Sequence, residues 1–174
     1  MKITIEMLSS KSACAEGMAW VAKNLPDGAD YQEFLDKLAA GDHPEWAHWL
    51  LQQFGSIDAV KTVSAIPDGT KHIFAAGRLV FEHSVSVVGF IEAGEGIKAG
   101  EGIKAGWGIE AGWGIKAGFS IECKLAISCS LRIFAGLCSW RLPTPEERRI
   151  ACANLTNGTV AHGDLKITQE KAKQ

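Results

Sequence analysis

The sequence lacks the features of an exported or membrane-bound protein. Its first five residues, MKITI, show neither an apolar run nor a small-residue cleavage site, which excludes a typical signal peptide. No stretch reaches the roughly eighteen apolar residues that a transmembrane helix needs. The five cysteines are an odd number without an export signal, so reduced thiols are expected. We therefore predict a cytoplasmic protein without membrane association.

Charge of one sign is also missing. The chain carries 18 Lys+Arg against 20 Asp+Glu, a formal net charge of -2 over 174 residues. Nucleic-acid binding needs an excess of basic side chains to neutralise phosphates, so it is not expected here. The apolar fraction of 47% and charged fraction of 22% are those of a globular protein with a core, which excludes disorder of the whole chain.

Recognised cofactor and metal motifs are absent from the sequence. Cys123, Cys129 and Cys138 lie in one region without a Cys-x-x-Cys pair or a neighbouring histidine. His43 and His48 are five residues apart, a spacing that does not place them side by side on a helix. The glycine-rich segments match neither a Walker loop nor a dinucleotide-binding loop. We expect no metal and no cofactor.

What the sequence has in excess is glycine, and most of the 19 glycines lie in a hexapeptide repeat. From Ile91 the chain reads IEAGEG, IKAGEG, IKAGWG, IEAGWG, IKAGFS, IECKLA, ISCSLR, IFAGLC. A looser register extends back to Ile73, which gives eleven hexads between residues 73 and 138. A repeat of this kind is typical of a fold built from stacked, nearly identical units.

The hexads predict short strands joined by tight corners. Six is a multiple of the strand period of two but not of the helical period of 3.6. The first position (Ile, Leu or Val) and the third (mostly Ala) therefore share an inward face, while Glu or Lys at the second position points outward. Glycine at the fourth and often the sixth position is expected to supply corners with positive φ. Stacked coils of such units form a β-solenoid.

The number of residues per coil stays open at this stage. A coil of twelve residues would place Glu92 beside Lys104, which is favourable, whereas eighteen would place Glu92 beside Glu110 and Lys98 beside Lys116. A triangular coil of eighteen residues nevertheless provides a thicker core for isoleucine. We favour the triangular coil.

The flanking segments predict caps at both ends of the solenoid. Residues 1–72 begin with a short strand and continue with helices over residues 10–24, 30–40 and from residue 44, whose apolar stripes are expected to cover the first coil. In residues 139–174, two strand-like segments flank Asn157-Gly158, a strong hairpin signal, and a polar tail follows from residue 169. The predicted fold is thus mainly β with a helical N-terminal cap (1–72), a β-solenoid (73–138) and a C-terminal β-hairpin cap (139–174).

The Ile-x-Ala-Gly-x-Gly hexads resemble those of small phage and prophage proteins of unassigned function. They are also similar, more loosely, to the bactofilins, bacterial cytoskeletal β-helices that polymerise end to end. The hexapeptide acyltransferases are a third comparison, but their small residue precedes the aliphatic one by two positions, whereas here alanine follows it. The resemblance covers about residues 73–138.

The fifth position of the hexads supplies the candidate partner-binding residues. It changes along the array from Glu95 and Glu101 to Trp107, Trp113 and Phe119, and then to leucines. The leucines are expected to lie under the C-terminal segment. The three aromatic residues are expected to form one contiguous exposed corner, which would mark a surface for a protein partner or for self-association.

Three functional hypotheses follow. The first is a non-enzymatic protein-binding solenoid, and the phage resemblance implies an accessory factor that inhibits a host defence system, of the anti-CRISPR kind. The second is a self-assembling scaffold, which the bactofilin resemblance implies. The third is a hexapeptide-repeat acyltransferase with His83 as its base. We favour the first, with a protein partner, no enzymatic activity and the capacity to form a homo-oligomer.

Overall fold

The computed structural model describes residues 1–168. Its N-terminal part is a small helical region with a two-stranded antiparallel pair, made by β1 and β2. The elements are, in chain order, β1 (Lys2–Ile3), α1 (Ile5–Ser10), α2 (Ala15–Asn24), β2 (Ala29–Asp30), α3 (Tyr31–Ala40) and α4 (Pro44–Phe54).

Each helix begins where the sequence offers a capping residue. The side chain of Thr4 caps α1, and that of Cys14 caps α2 in place of an earlier start near residue 10. Asp30 accepts a hydrogen bond of 3.0 Å from the backbone N–H of Gln32, which confirms the predicted start of α3. Pro44 occupies the first turn of α4, where its missing N–H costs nothing.

The rest of the described chain is a parallel β-solenoid with three faces. The first face is the sheet β16-β13-β10-β7-β4, the second is β17-β14-β11-β8-β5-β3, and the third is β18-β15-β12-β9-β6. The strands are β3 (Val60–Val63), β4 (Ile73–Ala75), β5 (Arg78–Phe81), β6 (Val85–Val87), β7 (Ile91–Ala93), β8 (Ile97–Ala99), β9 (Ile103–Ala105), β10 (Ile109–Ala111), β11 (Ile115–Ala117), β12 (Ile121–Cys123), β13 (Ala126–Cys129), β14 (Arg132–Phe134), β15 (Arg149–Cys152), β16 (Asn154–Leu155), β17 (Thr159–His162) and β18 (Asp164–Ile167).

The coil length is eighteen residues. Ile73 pairs with Ile91, Ile91 with Ile109, and Ile109 with Ile127, each partner lying three hexads further along the chain. The solenoid therefore has a triangular cross-section and makes about six turns. This confirms the predicted triangular coil of eighteen residues, which provides a thicker core, and excludes the coil of twelve residues that the charge pairing favoured.

The solenoid core consists of the first and third positions of the hexads. The isoleucines from Ile91 to Ile133 are at most 2% exposed, and the alanines at third positions are at most 3% exposed. Cys123 and Cys129 occupy third positions and are buried, as expected for small inward residues. Burial raises the pKa of the Cys123 thiol to about 12, so this thiol is not a ready nucleophile.

The role predicted for the array glycines is wrong. Only Gly136 among them has a positive φ. At the fourth positions a Cβ would instead meet the backbone of the preceding coil: 2.0 Å from the carbonyl oxygen of Gly94 at Gly112, and 2.0 Å from that of Val88 at Gly106. Glycine is required there because neighbouring coils approach closely, and not because the corner needs a left-handed conformation.

The predicted C-terminal hairpin is also wrong. Strands β15 to β18 all pair in parallel with strands of the preceding coil. Asn157-Gly158 forms a corner between two faces, since Gly158 has a φ of 93° and lies against Cys129. The solenoid thus extends beyond both predicted boundaries, from Val60 to Ile167. The predicted tail from residue 169 lies outside the described residues.

The helical region covers the N-terminal edge of the first face, as predicted. The side-chain amide of Gln32 donates to the carbonyl oxygen of Phe74 at 2.9 Å and accepts from the N–H of Ala76 at 3.0 Å, so it replaces a missing strand beside β4. The N–H of Ile57 donates to the carbonyl of Ala76 at 3.1 Å. Ile66, which follows β3, packs against the solenoid core. The first face is therefore closed to a further strand at its N-terminal edge.

Candidate functional site

The three aromatic candidates do not form the contiguous corner that the sequence predicted. Because each coil holds eighteen residues, Trp107, Trp113 and Phe119 lie at three different corners. The backbone N–H of Trp107 donates to Gly89, whereas that of Trp113 donates to Glu95 one corner further on. A coil of twelve residues would have placed Trp107 and Phe119 in one column. The correction follows from the coil length alone.

The two tryptophans differ in their surroundings. The Trp107 ring lies 5.3 Å from that of His72 and 5.3 Å from that of Phe90, measured between centroids, so one side of it is packed. Trp113 is 48% exposed, and the Arg78 guanidinium lies 6.0 Å from the centroid of its ring. Trp113 is therefore the freer of the two rings.

The leucines that follow in these columns are not covered by the C-terminal segment, contrary to the prediction. Leu125, Leu131 and Leu137 all remain exposed, at 36% or more. The last coil lies above their strands and leaves the corners free. Each corner thus carries one aromatic side chain followed by a leucine of the next coil.

The acidic candidates Glu95 and Glu101 are engaged within the chain. Glu95 is 6% exposed and lies 3.5 Å from the Arg78 guanidinium. Glu101 accepts a hydrogen bond of 2.7 Å from the Ser84 hydroxyl of the preceding coil. Both carboxylates tie one coil to the next, so a partner would have to displace these contacts to reach them.

The most exposed large apolar side chain of the described residues, Leu142, lies on a loop, residues 137–148, that the sequence analysis did not select. Trp140 is 64% exposed and Leu142 is 92% exposed. The Trp140 ring contacts Phe119 edge-on at 6.0 Å, and the Arg141 guanidinium lies 4.8 Å above the Phe119 ring. Arg141 also makes a two-pronged ion pair with Glu147, which lowers the pKa of that carboxyl to about 2. We call Phe119, Trp140 and Leu142 the loop cluster.

The C-terminal end of the solenoid differs from the N-terminal end. Strands β16, β17 and β18 are the last strands of their sheets, and in the described part of the chain nothing pairs with their outer edges. The side chains that should continue the core are exposed there, since Leu165 is 44% and Ile167 49% exposed. Leu155 and Val160, on the other two faces, are half-buried. We call the outer side of these three strands the C-terminal edge.

A third feature joins the helical region to the first face. His48 of α4 lies above Glu92 and Glu110, which are in register on neighbouring strands. The His48 Nδ1 atom is 2.9 Å from the Glu92 carboxylate and 4.0 Å from that of Glu110, and its Nε2 atom is 2.7 Å from the Gln52 amide. The imidazole thus offsets the repulsion between two stacked carboxylates.

The pKa values of this group are shifted accordingly. Hydrogen bonding to Glu92 raises the pKa of His48, while burial and then the charge of Glu92 raise that of Glu110. His48, Glu92 and Glu110 are the residues that could hold a metal ion, because their donor atoms lie within 4.8 Å of one another. A cation there would first have to break the hydrogen bond between His48 and Glu92. The arrangement therefore acts as an ion pair that fixes α4 on the solenoid.

The outer side of the third face forms an open groove of about 910 Å³. Its second-position side chains run in register from Ser86 through Lys104 and Glu122 to the last coil. Arg149 pairs with Glu122, which leaves an excess of positive charge along the groove. His83 is exposed at another corner, away from this groove.

Comparisons with known proteins identify the N-terminal part alone. Residues 1–56 match the model of the YdhT N-terminal domain family, and this match ends two residues after α4 does. A β-solenoid follows this domain. No curated protein and no solved structure matches the chain. Among the described residues, no helix has both the length and the apolar character needed to cross a bilayer.

Proposed function

We propose that this chain is a non-enzymatic protein-binding module and that its C-terminal edge is the binding surface. The observation that carries this proposal is the difference between the two ends of the solenoid. At the N-terminal end the edge of the first face is occupied by the Gln32 amide and by the segment that contains Ile57, whereas at the C-terminal edge all three strands are unpaired among the described residues and core side chains are exposed.

Physical chemistry supports an edge as a binding site. An unpaired strand offers a row of N–H and C=O groups, and proteins usually cover or twist such edges to avoid unwanted pairing. An added strand would satisfy these groups and would cover Leu165 and Ile167, which are in line with the buried Ile150 and Cys152. Backbone hydrogen bonds would then supply affinity, and the apolar side chains specificity.

The test uses the tagged protein and two variants in affinity purification from a bacterial lysate. Leu165→Lys places a charge at the edge, and Leu131→Lys places the same charge at an exposed corner of the preceding coil. We expect the edge variant to lose the proteins, including untagged copies of the chain, that the parent and the corner variant retain. Retention of every bound protein by the edge variant would contradict the proposal.

A second candidate surface is the loop cluster, which the exposure of Trp140 and Leu142 favours. Tryptophan and arginine are frequent among the residues that dominate binding energies, and here the pair of Arg141 and Glu147 holds the loop in one conformation. A foreign partner at this surface would fit the expectation of an accessory factor that blocks a host defence protein. Leu142→Ser would then abolish capture of that partner, whereas Leu165→Lys would leave it unchanged.

A further inference from the structure

We infer that the occupant of the C-terminal edge is a second copy of this chain, bound tail to tail about a two-fold axis. This inference rests on the proposed function, which requires a binding edge but not a particular partner. Three observations lead to it: the occupied N-terminal edge of the first face, the direction of the unpaired backbone groups of β18, and the charges of β18.

The occupied N-terminal edge of the first face limits how copies can join. Head-to-tail stacking would bring the C-terminal strands of one copy against the N-terminal strands of the next, but on the first face Gln32 and Ile57 already occupy the hydrogen-bonding groups of Phe74 and Ala76. A contact between the C-terminal edges of two copies leaves this face undisturbed. Such a contact uses the same surface on both copies, so assembly through it closes at two copies and does not grow into a filament.

Strand β18 directs away from the solenoid the backbone groups that have no partner among residues 1–168. The N–H of Thr168 donates to the carbonyl of Cys152 on the neighbouring β15. Since successive residues of a strand direct these groups to opposite sides, the N–H and C=O of Leu165 and Ile167 point away from β15. A two-fold axis reverses the strand direction, so β18 would pair with its own copy as an antiparallel ladder.

The side chains select one register for this ladder. A shift by one residue would exchange the inward and outward faces, so the axis must pass through a residue for Leu165 and Ile167 to stay inside. An axis through Leu165 places Asp164 opposite Lys166 of the second copy, twice. An axis through Lys166 places two lysines opposite each other, which is unfavourable. Charge complementarity therefore selects the axis through Leu165.

The same axis accounts for the other two faces. It would bring β16 of one copy against β17 of the other, where Leu155 and Val160 are only half-buried against the core. Asp164 also lies 3.5 Å from Arg148 of its own chain, but it remains 65% exposed. The Asp164 carboxylate can therefore also accept a hydrogen bond from Lys166 of the second copy.

Sedimentation equilibrium of the whole purified chain, measured across a wide range of concentrations, tests the inference. The unmodified protein should show a reversible monomer–dimer equilibrium. Lys166→Asp should weaken dimerisation about tenfold, because two symmetry-related pairs change from attraction to repulsion together. Asp164→Lys should do the same. A mixture of these two variants should regain dimers, since each copy then carries the charge that the other lacks.

The matched control is Lys98→Asp, which makes the same charge change on an exposed lysine in the middle of the second face. It should dimerise as the parent does, and circular dichroism should show that all variants are folded. A mixture that stays monomeric would overturn the inference. So would a dimer that Leu165→Lys leaves unchanged and Leu142→Ser disrupts, because that dimer would use the loop cluster.

The same measurements distinguish failure of the inference from failure of the proposed function. A protein that stays monomeric at every concentration, but loses a foreign partner on Leu165→Lys, would exclude the second copy and leave the edge as a binding site. A protein for which Leu165→Lys changes neither self-association nor capture of any partner would overturn both.

Discussion

The spacing between coils makes the fourth-position glycines the most sensitive small residues of the solenoid. In Gly112→Ala the new Cβ would lie 2.0 Å from the carbonyl oxygen of Gly94, whereas real Cβ contacts stay beyond 3.0 Å. One of the two coils must therefore move by at least 1.0 Å (3.0 minus 2.0). The obstacle is backbone, so no side-chain rotation can relieve it. The flanking bonds from Gly112 to Ala93 and from Trp113 to Glu95, 3.0 and 2.9 Å long, would be stretched.

The magnitude follows from these contacts. Overpacking costs about 1–3 kcal/mol and each weakened hydrogen bond about 1 kcal/mol, while the stiffer unfolded chain returns about 0.4–1 kcal/mol. Gly112→Ala should therefore lower the free energy of unfolding by about 2–4 kcal/mol, or the melting temperature by roughly 5–15 °C. The matched control is Gly102→Ala at a sixth position, where the nearest atom is 3.5 Å away. It should be neutral or stabilising by up to about 1 kcal/mol.

Urea unfolding monitored by tryptophan fluorescence measures the free energy of unfolding of both variants, because Trp107 and Trp113 lie close to the substituted glycines in the solenoid. Equal stability of the two variants would refute the close-approach explanation. Destabilisation by Gly102→Ala alone would also refute this explanation, and it would indicate that the sixth position needs a backbone conformation that favours glycine. A larger loss in Gly112→Ala, with an unchanged slope against urea, would support the spacing seen here.

Three further predictions follow from the described contacts. His48→Gln should remove part of the pH dependence of the melting temperature. The hydrogen bond to Glu92 raises the pKa of His48 above its usual 6.5. The ion pair therefore stabilises the fold fully below pH 6.5, and this stabilisation is lost as the pH rises through the pKa of His48 in the folded protein. Thermal melts between about pH 6 and pH 8 would show this, and a profile as steep as that of the parent or of the exposed-site control His83→Gln would contradict it. Gln32→Ala should lower the free energy of unfolding in urea by about 1–3 kcal/mol, because it leaves the N–H of Ala76 unpaired and removes one of the two donors to the carbonyl of Phe74, the other being Lys61. Lys37→Ala on the same helix should change it by less than about 0.5 kcal/mol. Trp107→Ala should cost about 1–3 kcal/mol of stability and Trp113→Ala less than about 1 kcal/mol, since only Trp107 is packed against two rings; equal losses in urea titrations would refute this difference.

The local pattern of the hexads was readable from the sequence because the strand period acts residue by residue. Isoleucine every six residues with alanine two positions later specifies which side chains point inward, and the structure confirms this from Ile91 to Ile133. Asp30 and Pro44 marked the starts of two helices for the same reason, since capping depends on a few neighbouring atoms. The local pattern of residues 1–56 did not predict the family that this region matches.

Contacts between coils and between domains were beyond local reasoning, because they join residues that are far apart in the chain. Asn157-Gly158 is a strong hairpin signal by itself, yet pairing with the coil below offered its flanking segments a ready parallel partner. The pairing of Gln32 with the β4 edge and that of His48 with Glu92 likewise join residues more than forty positions apart.

The candidate binding residues show most clearly which features depend on the local sequence and which depend on the tertiary structure. By itself the sequence determined that residues 73–138 form a solenoid and that the first and third positions face inward, since both follow from a period shared by every hexad. Only the tertiary structure decided that a coil contains eighteen residues, which sends Trp107, Trp113 and Phe119 to separate corners. It alone decided that the core line reaches Leu165 and Ile167 at an edge without a further strand among the described residues. The physical reason is that one hexad fixes the direction of its side chains, whereas the neighbours of those side chains depend on how the coils stack.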